Sequence, residues 1–437
     1  MKNVLSKKGF LRNNIIFIAI VSVCCALSNA SAVFSYIAIG VIVFCMAIMP
    51  VEYKFCWSMF LVPNVRLFDI LGPTWIVSLL FSVPLIFSLL FNGKKIKGLP
   101  ILGAIVLFFM ELIHLFFYQR LPFDLLGWVL AFIWCCMITL DEDVNIDKED
   151  LVHALAIGVV FSGVIYLIND PAMAGDLIDM VLVGHRFEGY ASDPNAYSMY
   201  VYMALSAFVI KEKFKAVDFL FFFILIAFGI ITASKMGFIL LIMCLTFFVL
   251  RKEKHKKGLL TKLTVFALLA ISVFLMWDVI VRFLDNIFDR FGGDYATLDS
   301  ITSNRYSIVK DYLQILANNP SLLIFGKGFI YFELLTTITG QPAHNTYLDI
   351  ILSWGIIGVF VFAVVLYLWV HNYKAKAKIS GFAFSSFLPC IIVAVSFMSL
   401  SLFDSSMFFL VIAFCILLLE SKPLNTGSNL NLKNYIR

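Results

Sequence analysis

Apolar stretches of helix-spanning length follow one another along almost the whole chain, and little else about the sequence constrains the fold as strongly. They fall near 14–29, 31–50, 56–72, 74–91, 99–118, 125–140, 151–169, 196–210, 217–233, 236–250, 263–280, 347–370, 383–401 and 403–420. As helices, such runs cross or nearly cross a bilayer core of about 30 Å. Composition agrees: 62% of residues are hydrophobic and 14% charged, against about 45–50% and 25% in ordinary soluble domains. The pattern predicts an all-α, polytopic membrane protein of 12–14 transmembrane helices, forming one integral membrane domain over 1–437. The weakest run, 56–72, carries Pro63, Arg66 and Asp69, and reads as a span or as a re-entrant or interfacial hairpin.

Charge orients the runs. Lysine-rich loops at 94–97, 211–215, 251–258 and 374–378, with both termini, fall on one side of the span pattern, which the positive-inside rule makes cytoplasmic. The opposite face holds only Lys235, Lys310 and Lys327, but six of the nine arginines: Arg66, Arg120, Arg186, Arg282, Arg290 and Arg305. Arginine offers a planar, two-point grip on phosphate or carboxylate, whereas lysine is a hydrated point charge. The bias points to an anionic ligand on the outer face.

Other features carry less. The nine cysteines lie in or beside apolar runs without metal-site spacing and read as small buried hydrophobes. The basic N-terminus, apolar core and "ASA" at 30–32 imitate a cleavable signal, but the next apolar run follows at once, favouring an uncleaved first helix. No phosphate-binding glycine loop, dinucleotide fingerprint, zinc spacing or internal repeat is present. Neither a cofactor, a metal nor a nucleic-acid partner is expected.

Two outer segments exceed simple turns: a first loop over 170–195 and a large one over 281–346. Long ordered loops on a compact scaffold commonly carry function, so the active site is expected there. In the large loop, 302–317 has helical spacing, with Tyr306, Ile308, Val309, Tyr312, Leu313 and Leu316 as an apolar stripe, Ser303 as N-cap and "NNP" as stop. Arg305 then sits in the first turn, where an anion could meet both its guanidinium and free backbone N–H groups. The plainer reading is an amphipathic helix on the bilayer surface with Arg305 solvated. In the first loop, "SDPN" is turn chemistry that accounts for Asp193, Pro194 and Asn195. It leaves Arg186, between His185 and Phe187, without a structural reason.

The large loop ends in "AHN". A His-Asn pair alone says little, since "HNYK" at 371–374 repeats it on the lysine-rich side. His344 differs in closing the arginine-bearing loop, and its near-neutral pKa suits it to take a proton from a hydroxyl. Gly355 and Gly358 share one face of the helix behind it, which permits close packing and a rigid support.

These residues resemble the bacterial O-antigen polymerase and O-antigen ligase superfamily. Its ligase members carry His, then Asn, Ser or Gln, nine residues, Gly, two residues, Gly. His344-Asn345, nine residues, Gly355 and Gly358 match it completely. "RFEGYASDPNAYS" (186–198) is similar to its Arg…Gly…Pro-Asn segment, and 303–329 to its Arg-bearing helix and Gly-x-Gly turn. "ASKMGF" (233–238) resembles its Ser-x-x-Gly step. The likeness covers roughly 185–420. It implies a glycosyltransferase without metal or nucleotide sugar, facing the periplasm from the bacterial inner membrane. Its donor would be an oligosaccharide on undecaprenyl pyrophosphate, with membrane lipid and a chain-length regulator protein as further partners.

On that expectation Arg186 and Arg305 stabilise the leaving pyrophosphate, and Arg282 and Arg290 assist. His344 is the base, Asn345 positions it, and Asn195 completes the binding group. His185 competes for the base role. Glu111 and His114, on one helix face, either shape the acceptor groove or satisfy each other. A polymerase is the first reading, a ligase to lipid A–core the second. A lipid-linked glycan transporter is disfavoured, because midplane charges and repeats are lacking.

Overall fold

The structure, a computed structural model, describes residues 9–72, 80–91, 98–118, 124–170, 186–191, 193–211, 214–250, 259–260, 262–267, 281, 285, 297–329, 331 and 342–420. Among these there are sixteen α-helices and two 3-10 segments, and no β-strand. The protein is an all-α polytopic membrane protein. Most of the 263–280 run lies outside the described residues, as do His185, Arg282 and Arg290.

The helices fall close to the apolar runs. α1 (Phe10–Ala26) and α2 (Ala32–Ile48) form an N-terminal pair, and α3 (Val51–Leu61) continues into a 3-10 segment, Val62–Leu71. α4 (Val83–Phe91), α5 (Leu99–Tyr118), α6 (Asp124–Leu140) and α7 (Lys148–Asn169) follow. α8 (Pro194–Ile210), α9 (Ala216–Ile231) and α10 (Lys235–Leu250) make a central trio, in which α8 packs on both of the others. The short α11 (Leu298–Thr302), α12 (Arg305–Asn318) and α13 (Pro320–Phe325) precede α14 (Thr346–Lys376). After α14 a 3-10 turn, Phe384–Phe387, leads into α15 (Leu388–Ser396), and α16 (Met407–Leu418) closes the described chain.

α7 and α14, at 22 and 31 residues, are long and apolar enough to cross a bilayer, since 22 residues rise about 33 Å. The long α14 and shorter apolar helices alike present bare hydrophobic surface: Ile16, Leu90, Leu250 and Phe360 are all about 70% exposed. Such a belt is disfavoured in water and at home against lipid. The ambiguous run 56–72 is not one straight helix. α3 is buried on nearly every side, and the chain bends at Asn64, whose amide donates to Phe60 O and Gly158 O.

Polar contacts separate the two ends of the bundle. At one end Lys211 and Lys215 pair with Glu149 at 3.1 and 2.6 Å, Lys211 meets Asp218 at 2.7 Å, and Lys148 meets Glu420 at 3.3 Å. Glu149, His153 and Asp218 come within ligand distance of one another there, but the two lysines neutralise both carboxylates. The "HNYK" pair sits near this end of α14, with Asn372 turned back onto Leu368 O. His344 precedes the opposite end of the same helix.

α14 is not continuous. Gly355 stands at φ 64°, ψ −170°, a region essentially reserved for glycine, and the break frees carbonyls that a regular helix would use. Two of them are taken by a passing loop: Lys327 N donates to Leu352 O at 2.8 Å and Gly328 N to Ser353 O at 2.6 Å. The crossing is so close that a Cβ on Gly355 would stand 2.2 Å from Ile324 O, and one on Gly326 2.2 Å from Ser353 O. Gly355 and the Gly-x-Gly turn are therefore two halves of one contact. Glu111 accepts from Phe329 N at 2.8 Å and Trp354 Nε1 at 3.1 Å, while His114 Nε2 lies 2.8 Å from Phe325 O. The Glu111–His114 pair braces this crossing; their mutual contact is the longer one, 3.9 Å. Beneath it Trp128, Trp354, Phe403 and Phe409 interlock, with centroids 4.4–5.5 Å apart along Trp128–Phe409, Trp354–Phe403 and Trp128–Trp354.

Candidate functional site

Residues 186–195 reach the site end of the bundle as a strapped loop. Phe187 is buried between Tyr166, Tyr197 and Phe228, with centroids at 5.3, 5.5 and 5.8 Å. Arg66 Nη1 meets Glu188 Oε1 at 2.5 Å, and Arg66 N donates to Tyr190 O at 3.1 Å. Arg66, one of the six outer arginines, is thus partnered by the loop it fastens. The loop runs into α8, where Asp193 Oδ1 caps the helix by accepting from Asn195 N at 2.7 Å and Ala196 N at 2.9 Å. Pro194 occupies the first turn, as its fixed φ favours.

That cap sets Asn195 facing back. Its Oδ1 accepts from Arg186 Nη2 at 2.6 Å and from Ser234 Oγ at 2.8 Å. Ser234 lies in the tight α9–α10 connection, where Ala233 takes φ +47°. Arg186 Nε is buried with no partner among the described residues.

Arg305 opens α12. The expected Ser303 cap is not formed: Ser303 and Asn304 both adopt left-handed conformations, at φ 54° and 63°. Asn304 occupies the cap position without a side-chain bond. The free N–H groups are served from α11 instead. Thr302 Oγ1 accepts from Tyr306 N at 3.0 Å and Asp299 Oδ1 from Ser307 N at 2.9 Å. These donors are therefore already taken, and Arg305 alone at this terminus is left to meet an anion. The stripe is also narrower than expected. Tyr312 and Leu316 are buried, but Tyr306 and Leu313 are about half exposed. Tyr312 and Leu316 join Leu322, Tyr331, Ala343, Leu348 and Leu352 in a second small core. α12 thus shares a small core with the start of α14.

His344 closes this core's edge in a left-handed conformation, φ +47°, which for a non-glycine residue is strained and typical of functional positions. The residues after it are pinned. Asn345 Oδ1 caps α14 by accepting from Tyr347 N and Leu348 N, each at 3.1 Å. Thr346 N donates to Phe397 O at 2.8 Å and Thr346 Oγ1 to Leu400 O at 2.6 Å. Asn345 thereby fixes the backbone from which His344 projects. Within the first turn Asp349 is buried, accepts from Tyr331 and Ser401, and keeps Oδ2 unpartnered among the described residues.

Electrostatics links the three segments. Burial, and then the Arg305 charge, hold the His344 imidazole below its ordinary pKa, while Asp193 pulls the other way. Arg305 is pushed down by burial and by Arg186, again opposed by Asp193. Arg186 is lowered by burial and supported by Asp193 and Glu188. Both guanidinium groups remain cationic and His344 is neutral at neutral pH. Two cations, one neutral imidazole and one carboxylate thus act on one another at the site end. Arg186, Asn195, Arg305, His344 and Asn345 all contribute to this region. Asp193 and Ser234 are additions: turn chemistry hid the first, and the Ser-x-x-Gly likeness was the only sign of the second.

With this arrangement in place, comparison with known proteins bears on part of the chain. Residues 220–363 match the family model described as O-antigen ligase. Over that third of the chain the protein is similar to the O-antigen ligase family. The matched stretch holds Ser234, Arg305, His344, Gly355 and Gly358, and leaves out Arg186, Asp193 and Asn195. A search of curated proteins returned no match.

Proposed function

We propose that this protein is a polymerase that joins undecaprenyl-pyrophosphate-linked repeat units at the periplasmic face of the bacterial inner membrane. The observation that carries the reading is the convergence of Arg186, Arg305 and neutral His344 from three separate segments. His344 takes the proton of an acceptor sugar hydroxyl, whose oxygen attacks the donor's anomeric carbon. The bond from that carbon to the pyrophosphate oxygen breaks, and its electron pair leaves with the pyrophosphate. A single displacement of this kind inverts the anomeric centre. Arg186 and Arg305 meet the charge developing on the leaving group, and Asp193 offsets the imidazolium formed beside Arg305. The guanidinium groups supply the positive charge that a metal supplies in other phosphate chemistry, so no step calls for one. Arg282, Arg290 and His185 are proposed to complete the donor site, and the lysine-rich end to face the cytoplasm.

A second reading, transfer of the finished glycan to lipid A–core, is favoured by the wording of the matching family description. Both readings need the same pyrophosphate site and differ in acceptor. Glycan analysis of a deletion strain separates them. Core carrying a single repeat unit without a ladder supports the polymerase, while bare core with long glycan on the undecaprenyl carrier supports the ligase. His344→Ala is expected to abolish transfer with the protein level unchanged. A normal ladder from that variant removes His344 as the base.

A further inference from the structure

Ser234 caps α10. Its Oγ accepts from Gly237 N at 3.1 Å, three residues into the helix, the usual arrangement of a serine N-cap. Because that bond uses the oxygen as acceptor, the hydroxyl proton remains to be donated, and it goes to Asn195 Oδ1 at 2.8 Å. The same Oδ1 accepts from Arg186 Nη2 at 2.6 Å. One amide oxygen has two lone pairs, so both donors are satisfied together.

The chain of bonds has a direction. The Arg186 guanidinium, which has no acceptor, requires the Asn195 amide to present oxygen, and the Ser234 hydroxyl, already accepting from Gly237 N, donates to that same oxygen as a second anchor. Asn195 and Ser234 are 6% and 3% exposed, so water does not compete for these bonds. Without the hydroxyl, Asn195 Oδ1 keeps only its bond to Arg186, and the amide loses the second anchor that holds its position. The guanidinium is then held less firmly, while its buried Nε, without a partner among the described residues, is the donor left for a ligand.

We propose that Ser234 is a positioning residue: through the Asn195 amide it fixes the orientation in which Arg186 presents its free N–H groups to the leaving pyrophosphate. The inference rests on the glycosyl-transfer reading above and extends it to a residue of the α9–α10 connection that acts through Asn195.

Capping and positioning are separable at this residue. Glycine is nearly as good an N-cap as serine, whereas alanine costs more, so Ser234→Gly keeps the helix start but removes the donor. Threonine keeps both. The test uses full-length protein in proteoliposomes with lipid-linked donor, reading kcat and KM for parent, Ser234→Gly, Ser234→Thr, Asn195→Ala and the Ser234→Gly/Asn195→Ala pair. We expect Ser234→Gly to lower kcat by on the order of ten- to a hundredfold, the range a displaced catalytic group produces, with KM little changed. Ser234→Thr recovers most of the rate. In the double variant the glycine substitution adds nothing to Asn195→Ala, because Ser234 acts through that amide. Full activity in Ser234→Gly, or additive losses in the pair, overturns the positioning role while leaving the transferase reading intact. If the unaltered protein itself transfers no glycan, the transferase reading has failed instead. Elution as a single species checks that each variant has folded, and if Ser234→Thr misfolds, the Ser234→Gly and pair measurements still decide.

Discussion

Gly355→Ala tests the crossing on which the candidate site is built. At φ 64°, ψ −170° an alanine is strained by about 1–3 kcal/mol. Its Cβ would also lie 2.2 Å from Ile324 O and 2.5 Å from Phe325 N. Both contacts are backbone, so no flexible side chain can yield, and α13 must move away from α14. That movement breaks the bonds from Lys327 N to Leu352 O and from Gly328 N to Ser353 O, at about 1 kcal/mol each and more where a group stays buried and unpaired. The sum is about 3–5 kcal/mol, at the upper end for a single substitution. At the few degrees per kcal/mol usual for larger domains, the apparent melting temperature in detergent should fall by on the order of 10 °C. Gly40→Ala is the control: nothing lies within 4 Å of a Cβ there, and alanine in a helix interior is neutral to stabilising. A Gly355→Ala protein that melts with the parent would refute the reasoning, since the break in α14 would then not need glycine.

Three further expectations concern chemistry and orientation. Because His344 must be neutral to act and its pKa lies below the ordinary 6.5, activity should be lost on acidification only below that value. Asp193→Asn keeps the α8 cap but withdraws the carboxylate that favours the imidazolium, so a pH–rate profile should show this acidic limb displaced to still lower pH; displacement upward contradicts the assignment. Arg186→Lys and Arg305→Lys keep their charge and should each lose most glycan transfer in a polymer-ladder assay, and full activity in both would exclude a two-point phosphate grip. A cysteine placed at 294 should react with an impermeant maleimide from outside the cell and one at 255 should not; the reverse pattern inverts the orientation.

The all-helical class and the apolar runs were legible in the chain because each follows from local composition: a run of twenty apolar residues needs no partner to declare itself. His344, Arg186 and Arg305 were legible for a related reason, as ionisable residues beside apolar runs. What each contacts was not. Asp193 and Asn195 read as a turn, and the turn is real, but the same two residues also face Arg186, His344 and Arg305. The N-cap of α12 was misplaced because its donors are met from α11, a segment too short to announce itself.

Gly326, Gly328 and Gly355 show the division most plainly. Sequence determined that two glycine pairs lie in the loop and in the following helix. Only the tertiary structure decided that they face each other, since a backbone crossing at this distance is a property of two segments and neither carries a local sign of it. The sequence by itself settled that the chain is a helical membrane protein, because hydropathy acts residue by residue. Which arginine, histidine and carboxylate share one site was decided by packing, because their electrostatic effect depends on separations that only the folded chain defines.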